Sequence, residues 1–121
     1  MKRQPPIRSI GTEPDPRFSY ANERTFLAWN RTALALVAAG LAATSLLPEF
    51  NVSGGRRLIG VPLILLGALV AAVSYRRWDA NERAMRLRQP LPPSHLGTIL
   101  AAGIGVTAVM AALLALFGTD A

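Results

Sequence analysis

Two arginines stand seven residues apart at the start of a long apolar segment. Arg24 and Arg31 belong to the stretch NERTFLAWNRT, and in an α-helix this spacing places both side chains on one face, about 10 Å apart along the axis. Ala28 shares that face and leaves space around the guanidinium groups, which bind phosphate and carboxylate oxygens in a forked geometry. The pattern therefore indicates that Arg24 and Arg31 bind an anion or line a pore. Asn30, the polar neighbour of Arg31, is the third candidate residue for this role.

The elements that must position this face are predicted to be membrane helices. The chain is 51% hydrophobic and only 17% charged, and its uncharged residues are concentrated in three blocks. Two of these blocks reach the length of about 18 residues expected of a spanning helix, and the first must draw in residues 26–31 to do so. We predict an all-α integral membrane protein with three transmembrane helices, over about 25–47, 57–75 and 95–117.

The depth of Arg31 allows two interpretations. If the membrane begins near Phe26, Arg31 lies about 7 Å inside it, where an unpaired charge is costly. In one interpretation both arginines extend back to the headgroups and orient the helix. In the other, Arg24 and Arg31 form rings in an oligomer that bind anions, and Glu23 holds an arginine or tunes entry. An oligomer is needed because three helices alone enclose no aqueous path.

The distribution of Lys and Arg predicts the orientation of the chain. With three spans, the N-terminal tail and the second loop lie on one side, and together they hold eleven of the thirteen basic residues. The positive-inside rule then places the N-terminus in the cytoplasm and the C-terminus outside. The basic residues on the predicted cytoplasmic side are Lys2, Arg3, Arg8, Arg17, Arg24, Arg31, Arg76, Arg77, Arg83, Arg86 and Arg88.

The net charge of +6 is interpreted as this orientation signal and not as a nucleic-acid surface. A basic cytoplasmic face would still attract an anionic solute or anionic lipids. Residues 1–16, which are rich in proline, are predicted to be a flexible basic tail, and residues 17–121 to form the three-helix transmembrane domain.

The second helix is predicted to continue beyond the membrane into a cytoplasmic extension and loop, 76–94. Asp79 with Arg83, and Glu82 with Arg86, are acid-first pairs four residues apart, which stabilise a solvated helix. The tetrapeptide ANER occurs at 21–24 and again at 80–83. The flanking sequences differ, so we reject an internal duplication and expect two polar segments at one interface, close enough for Glu and Arg to pair between helices.

Small residues recur at helical spacing in all three spans. Either they pack the helices of one subunit together, or they allow subunits to approach closely in a homo-oligomer, and the sequence leaves both alternatives open. The residues concerned are Ala35, Ala39, Ala43, Gly60, Gly67, Ala101 and Gly105.

Catalysis has little support in the sequence. The chain has no cysteine and one histidine, His95, no carboxylate falls within a predicted span, and no metal-ligand cluster or phosphate-binding glycine loop is present. We expect a protein that is not an enzyme and that needs no cofactor or metal.

The segment RFSYANERTFLAWNRTALA, residues 17–35, closely resembles the signature of a membrane family called domain of unknown function 202, whose bacterial members are YidH-like inner-membrane proteins. Asn30 stands where the family more often has an apolar residue. The same domain supplies the transmembrane part of the eukaryotic vacuolar transporter chaperone complex, which makes polyphosphate and passes it through a membrane. This chain lacks room for the cytoplasmic polymerase or phosphate-sensing domains, so the resemblance implies no synthesis of polyphosphate.

Together these patterns favour an oligomeric bacterial inner-membrane protein that forms or regulates a path for a phosphate-like or polyphosphate-like anion. The alternative is a structural or regulatory subunit that transports nothing and docks a protein partner or anionic lipid through its basic cytoplasmic face.

Overall fold

A computed structural model describes residues 4–48, 50 and 53–118 of the chain. Lys2 and Arg3, which were counted in the charge distribution, lie outside these residues. A short 3-10 helix, Ile7–Ser9, precedes three long helices: α1, Pro16–Leu46; α2, Gly55–Arg86; and α3, Leu96–Phe117. Within the described residues, all three are long and apolar enough to cross a membrane, so the all-α prediction with three membrane helices is confirmed.

Helix α1 begins at Pro16, the last residue of the segment predicted as a tail. Asp15 caps the helix, because its Oδ1 accepts a hydrogen bond of 2.9 Å from the backbone N–H of Arg17. Proline suits the first turn, where its missing N–H would have no helical partner. The Arg17 guanidinium also pairs with Asp15 Oδ2 at 3.0 Å. A strong start signal thus lies at the end of the segment predicted as a tail.

The Asp15 cap leads to an expected pH dependence. The side-chain hydrogen bond from Arg17, followed by the backbone hydrogen bond, lowers the pKa of Asp15 below its ordinary value of 3.8. Because the folded pKa is depressed, the ionised cap stabilises the folded state above the unfolded pKa, and its contribution is lost as the pH falls from 3.8 through the lower folded value. We expect the NMR amide shift of Arg17 to titrate below pH 3.8 and Asp15→Asn, which keeps a capping oxygen, to lose this titration. A midpoint at or above 3.8 would contradict the assignment.

Helix α2 is the central helix, with α1 packed along most of its length and α3 packed on it less extensively. Helix α3 has 22 residues, about 33 Å, which is close to the thickness of a bilayer core. Helices α1 and α2 have 31 and 32 residues. Near the α1–α2 connection, Leu114 of α3 packs with Ala43 and Ile59. The additional nine or ten residues of α1 and α2 therefore extend past α3 at the other end, which we call the basic end.

Glycines bring the backbones of α1 and α2 into direct contact. A Cβ atom added at Gly40 would lie 2.6 Å from the carbonyl oxygen of Gly60, and one added at Gly67 would lie 2.8 Å from that of Ala33. Such approaches exclude any side chain larger than hydrogen. The sequence left open whether the small residues pack helices within one subunit or between subunits. Gly60 and Gly67 pack α1 against α2 within one subunit. An added Cβ at Gly105 would meet nothing within 4 Å.

The outer surface of the bundle is apolar, as expected of a protein surrounded by lipid. Only 11% of the most apolar window of α3 is buried, and large hydrophobic side chains project from this helix, among them Val106 at 64% and Leu116 at 72% exposed. A water-soluble monomer rarely exposes an apolar surface of this extent. The buried core is confined to two small clusters along α2, one around Val70 and one around Ile59.

Candidate functional site

The predicted arginine face lies on the outside of the subunit. Arg24, Ala28, Arg31 and Ala35 are all exposed, whereas the buried residues of α1, Ala33, Leu36, Gly40 and Ala43, lie on the side that packs against the rest of the bundle. Among the described residues, neither guanidinium has a hydrogen-bond or ion-pair partner. Glu23 is likewise exposed. We call Arg24, Ala28, Arg31 and Ala35 the arginine face.

Asn30 does not belong to the arginine face. Its side chain is half-buried, and its Nδ2 donates a hydrogen bond of 3.1 Å to the carbonyl oxygen of Phe26, one turn earlier in the same helix. This contact gives the amide a partner within α1 and requires neither a pore nor a neighbouring helix. The neighbouring Trp29 packs against the cluster around Val70.

The start of α3 gives a level for Arg31. Leu96, the first residue of α3, is completely buried and belongs to the same apolar cluster as Ala33 and Val70. Helix α3 is about as long as a bilayer core is thick. Arg31 precedes Ala33 by two residues and is exposed, so it lies on the outside of α1 near the part of the bundle where α3 begins.

A polar network joins α1 to α2 at the basic end, and the two ANER segments form most of it. Asn22 Nδ2 donates to the carbonyl oxygen of Trp78 at 3.0 Å and to Glu82 Oε1 at 3.3 Å. Asn81 Nδ2 donates to Asn22 Oδ1 at 3.3 Å, and Ser19 Oγ donates to Glu82 Oε2 at 3.3 Å. The repeated segments thus meet across the helix interface, through asparagines and Glu82 instead of the expected Glu–Arg pairs.

The position of Glu82 differs from the prediction. No ion pair joins Glu82 to Arg86 among the described residues, because Glu82 lies on the face of α2 that contacts α1, where only 8% of it is exposed. The other predicted pair is present, with Arg83 Nε 2.9 Å from Asp79 Oδ2. Opposite charges four residues apart are expected to pair on the solvated face of a helix such as α2. The same spacing does not predict an ion pair on the face that packs against another helix.

Three aromatic rings lie next to the polar network. Phe26 of α1 contacts Tyr75 and Trp78 of α2 with ring centroids 6.3 and 6.1 Å apart, and Tyr75 and Trp78 are 6.0 Å apart. Tyrosine and tryptophan favour the boundary between lipid and water. These three rings therefore form a candidate membrane-boundary group beside the polar network.

Part of the segment predicted as a flexible tail lies against the end of α2. Thr12 N–H donates to the carbonyl oxygen of Arg86 at 3.1 Å, and Arg83 Nη1 donates to that of Pro5 at 2.6 Å. Gly11 adopts a left-handed conformation, φ +56°, directly against the Arg86 backbone, which a larger residue would obstruct. Between this segment and the helices lies a cleft of about 630 Å³, which the sequence did not predict.

The fold and these polar groups define a small helical membrane protein, and comparison with known proteins identifies its family. The model of a family described as a domain of unknown function (DUF202) matches residues 17–84. The chain belongs to this family, as its N-terminal signature indicated.

Two relatives cover most of the chain. It is 43% identical over 111 residues to the inner membrane protein YidH of Escherichia coli strain K12, which covers 92% of this chain and 96% of that protein. It is 48% identical over 99 residues to an uncharacterized protein of Mycobacterium tuberculosis strain H37Rv, covering 82% of this chain and 81% of that protein. No solved structure matches. The chain is a multi-pass protein of the bacterial inner membrane.

Proposed function

We propose that the protein assembles into oligomers in which the arginine faces of neighbouring subunits line or regulate a path for phosphate-like anions. The observation that carries this proposal is the exposure of Arg24 and Arg31 on the outside of the subunit, with no anionic partner among the described residues. The subunit acts by binding and positioning anions, and it performs no chemical reaction.

The packing of α1 on α2 supports a path between subunits. The backbone contact at Gly40 and Gly60 leaves no room for an aqueous channel between these two helices. The arginine face, in contrast, combines two cations with the small side chains of Ala28 and Ala35, which allow close approach of another helix. Rings of guanidinium groups select anions in pores of this kind.

The orientation of the proposed path follows from the basic residues. Placing the basic end in the cytoplasm satisfies the positive-inside rule. Arg24 then lies on the cytoplasmic side of Arg31, two helical turns farther from the membrane core. An anion arriving from the cytoplasm would meet Arg24 first and Arg31 at the boundary.

The polar basic end supports a second candidate function. Helices α1 and α2 extend past α3 and, with the segment Pro5–Thr12, form a folded polar surface with a cleft. This surface is suited to docking a protein partner or anionic lipid, in which case the arginine face would contact headgroups and line no path.

Accessibility of α1 to water tests the proposal. The chain has no cysteine, so single cysteines can be placed from Phe26 to Ala39 and exposed, in lipid vesicles, to a membrane-impermeant thiol reagent. We expect labelling at positions 28, 31 and 35, every three or four residues, because only one face would be wet. We also expect phosphate or polyphosphate to block this labelling.

Cysteines at Ala33 and Leu36 are the matched controls, since both positions are buried and should stay unlabelled. If labelling stops before position 31, or if positions 28 and 35 react no faster than 33 and 36, the face is covered by lipid or protein and the path proposal fails. The docking function would then be the better account.

A further inference from the structure

The cleft at the basic end has the composition of a binding site for a small molecule. It lies between residues 7–16, the first turns of α1 and the last turns of α2, and its volume of about 630 Å³ is within the range of pockets that hold metabolite-sized ligands. We propose that it binds a small organic anion that carries a phosphate or carboxylate on a flat apolar group. This site is separate from the arginine face.

Two cationic residues, Arg86 and Arg8, line the cleft. Among the described residues, the guanidinium of Arg86 has no ion pair, while its Nε is buried beneath the cleft surface. Arg8 projects from the 3-10 helix and, within the described part of the chain, has no ion pair. Two guanidinium groups therefore line one cleft without carboxylate partners.

Two carboxylates also line the cleft, and they limit which anions it can hold. Both oxygens of Glu82 accept hydrogen bonds, from Ser19 and Asn22, so this group is engaged in the helix interface. Glu13 is exposed and would repel an anion. Because two carboxylates oppose the two cations, the cleft attracts a simple anion only weakly. The ligand must therefore obtain further binding energy from the apolar residues that line the cleft.

The cleft also offers aromatic surface, which with two prolines we call its apolar wall. Trp78 and Tyr20 line the cleft together with Pro14 and Pro16, and planar groups bind well against tryptophan, tyrosine and proline rings. A flat apolar group that carries an anionic substituent matches this combination, because its ring contacts the wall while its oxygens reach Arg86 and Arg8.

Fluorescence of Trp78 tests the site directly. In the full-length Trp29→Phe variant, Trp78 is the remaining tryptophan, and we expect phenyl phosphate to quench it saturably. Inorganic phosphate and phenol, which each lack one half of the ligand, should bind at least about tenfold more weakly. Arg86→Gln and Arg8→Gln should each weaken binding about tenfold, the loss expected for a charge-assisted hydrogen bond. Glu13→Gln should strengthen it.

Arg76→Gln is the matched control, since Arg76 is exposed on the same helix and does not line this cleft. Arg8→Gln and Glu13→Gln alter exposed side chains, so they keep the test decisive if Arg86→Gln perturbs the fold. Absence of saturable quenching, equal affinity for phenol and phenyl phosphate, or equal affinity in Arg8→Gln and Glu13→Gln would overturn the proposal. None of these results depends on whether the arginine face is wet.

Discussion

Gly40→Ala is expected to lower the melting temperature of the detergent-solubilised protein by about 5 °C or more. The added methyl group would lie 2.6 Å from the carbonyl oxygen of Gly60 and 2.6 Å from a side-chain carbon of Ile64. Relieving this overlap requires α1 and α2 to separate, and overpacking of this kind typically costs about 1–3 kcal/mol. Circular dichroism during heating measures the change.

Gly105→Ala provides the matched control for this prediction. It introduces the same methyl group into a membrane helix, but at a position where nothing lies within 4 Å. Alanine is intrinsically more favourable than glycine in a helix by about 1 kcal/mol, so the melting temperature should stay the same or rise. Equal destabilisation by both substitutions would show that the α1–α2 backbone contact is not what Gly40 protects.

Asn22→Ala is expected to destabilise the protein by about 2–3 kcal/mol. Asn22 makes three of the four hydrogen bonds in the polar network, two as donor and one as acceptor. Among the described residues, its removal leaves Glu82 with Ser19 as its one donor and leaves the Asn81 amide nitrogen without a partner, although both residues are more than nine-tenths buried. Thermal unfolding in detergent measures the loss.

Glu23→Ala is the control for Asn22→Ala, because Glu23 is adjacent in sequence and exposed, and its removal should change stability by less than about 0.5 kcal/mol. The coupling is measured by repeating Asn22→Ala in a Glu82→Ala background, which removes the acceptor of the Asn22 hydrogen bond. A direct contact predicts that the two changes are not additive. Additive effects would mean that Asn22 stabilises the helix pair without acting through Glu82.

The sequence predicted the three helices well because each depends on local information. Runs of uncharged residues long enough to span a membrane mark α2 and α3, and the acid-first pairs correctly extended α2 to Arg86. At the start of α3, the hydroxyl of Ser94 accepts a hydrogen bond of 3.3 Å from the backbone N–H of Leu96. The sequence prediction includes Asp15 and Pro16 in the tail, whereas in the structure they cap and begin α1.

The contacts between elements could not be predicted in the same way. The spacing of Glu82 and Arg86 fits an ion pair, and only the packing of α1 on α2 shows that Glu82 faces another helix. The same holds for the cleft, whose lining residues come from two distant parts of the chain, 7–20 and 78–86. For the arginine face, helical periodicity predicted which residues share a side, but not that this side lies outside the subunit.

The division of contacts among the three helices also determines the order in which the molecule can be assembled. The backbone contacts at Gly40, Gly60 and Gly67 and the polar network join α1 to α2, which are consecutive in the chain. This hairpin therefore holds its own pairing information and can fold in the bilayer while α3 is still being synthesised. Helix α3 then packs on this hairpin, and sequence changes in α3 away from its own contacts at Leu96, Gly103 and Leu114 should be tolerated more readily than changes in the two helices made first.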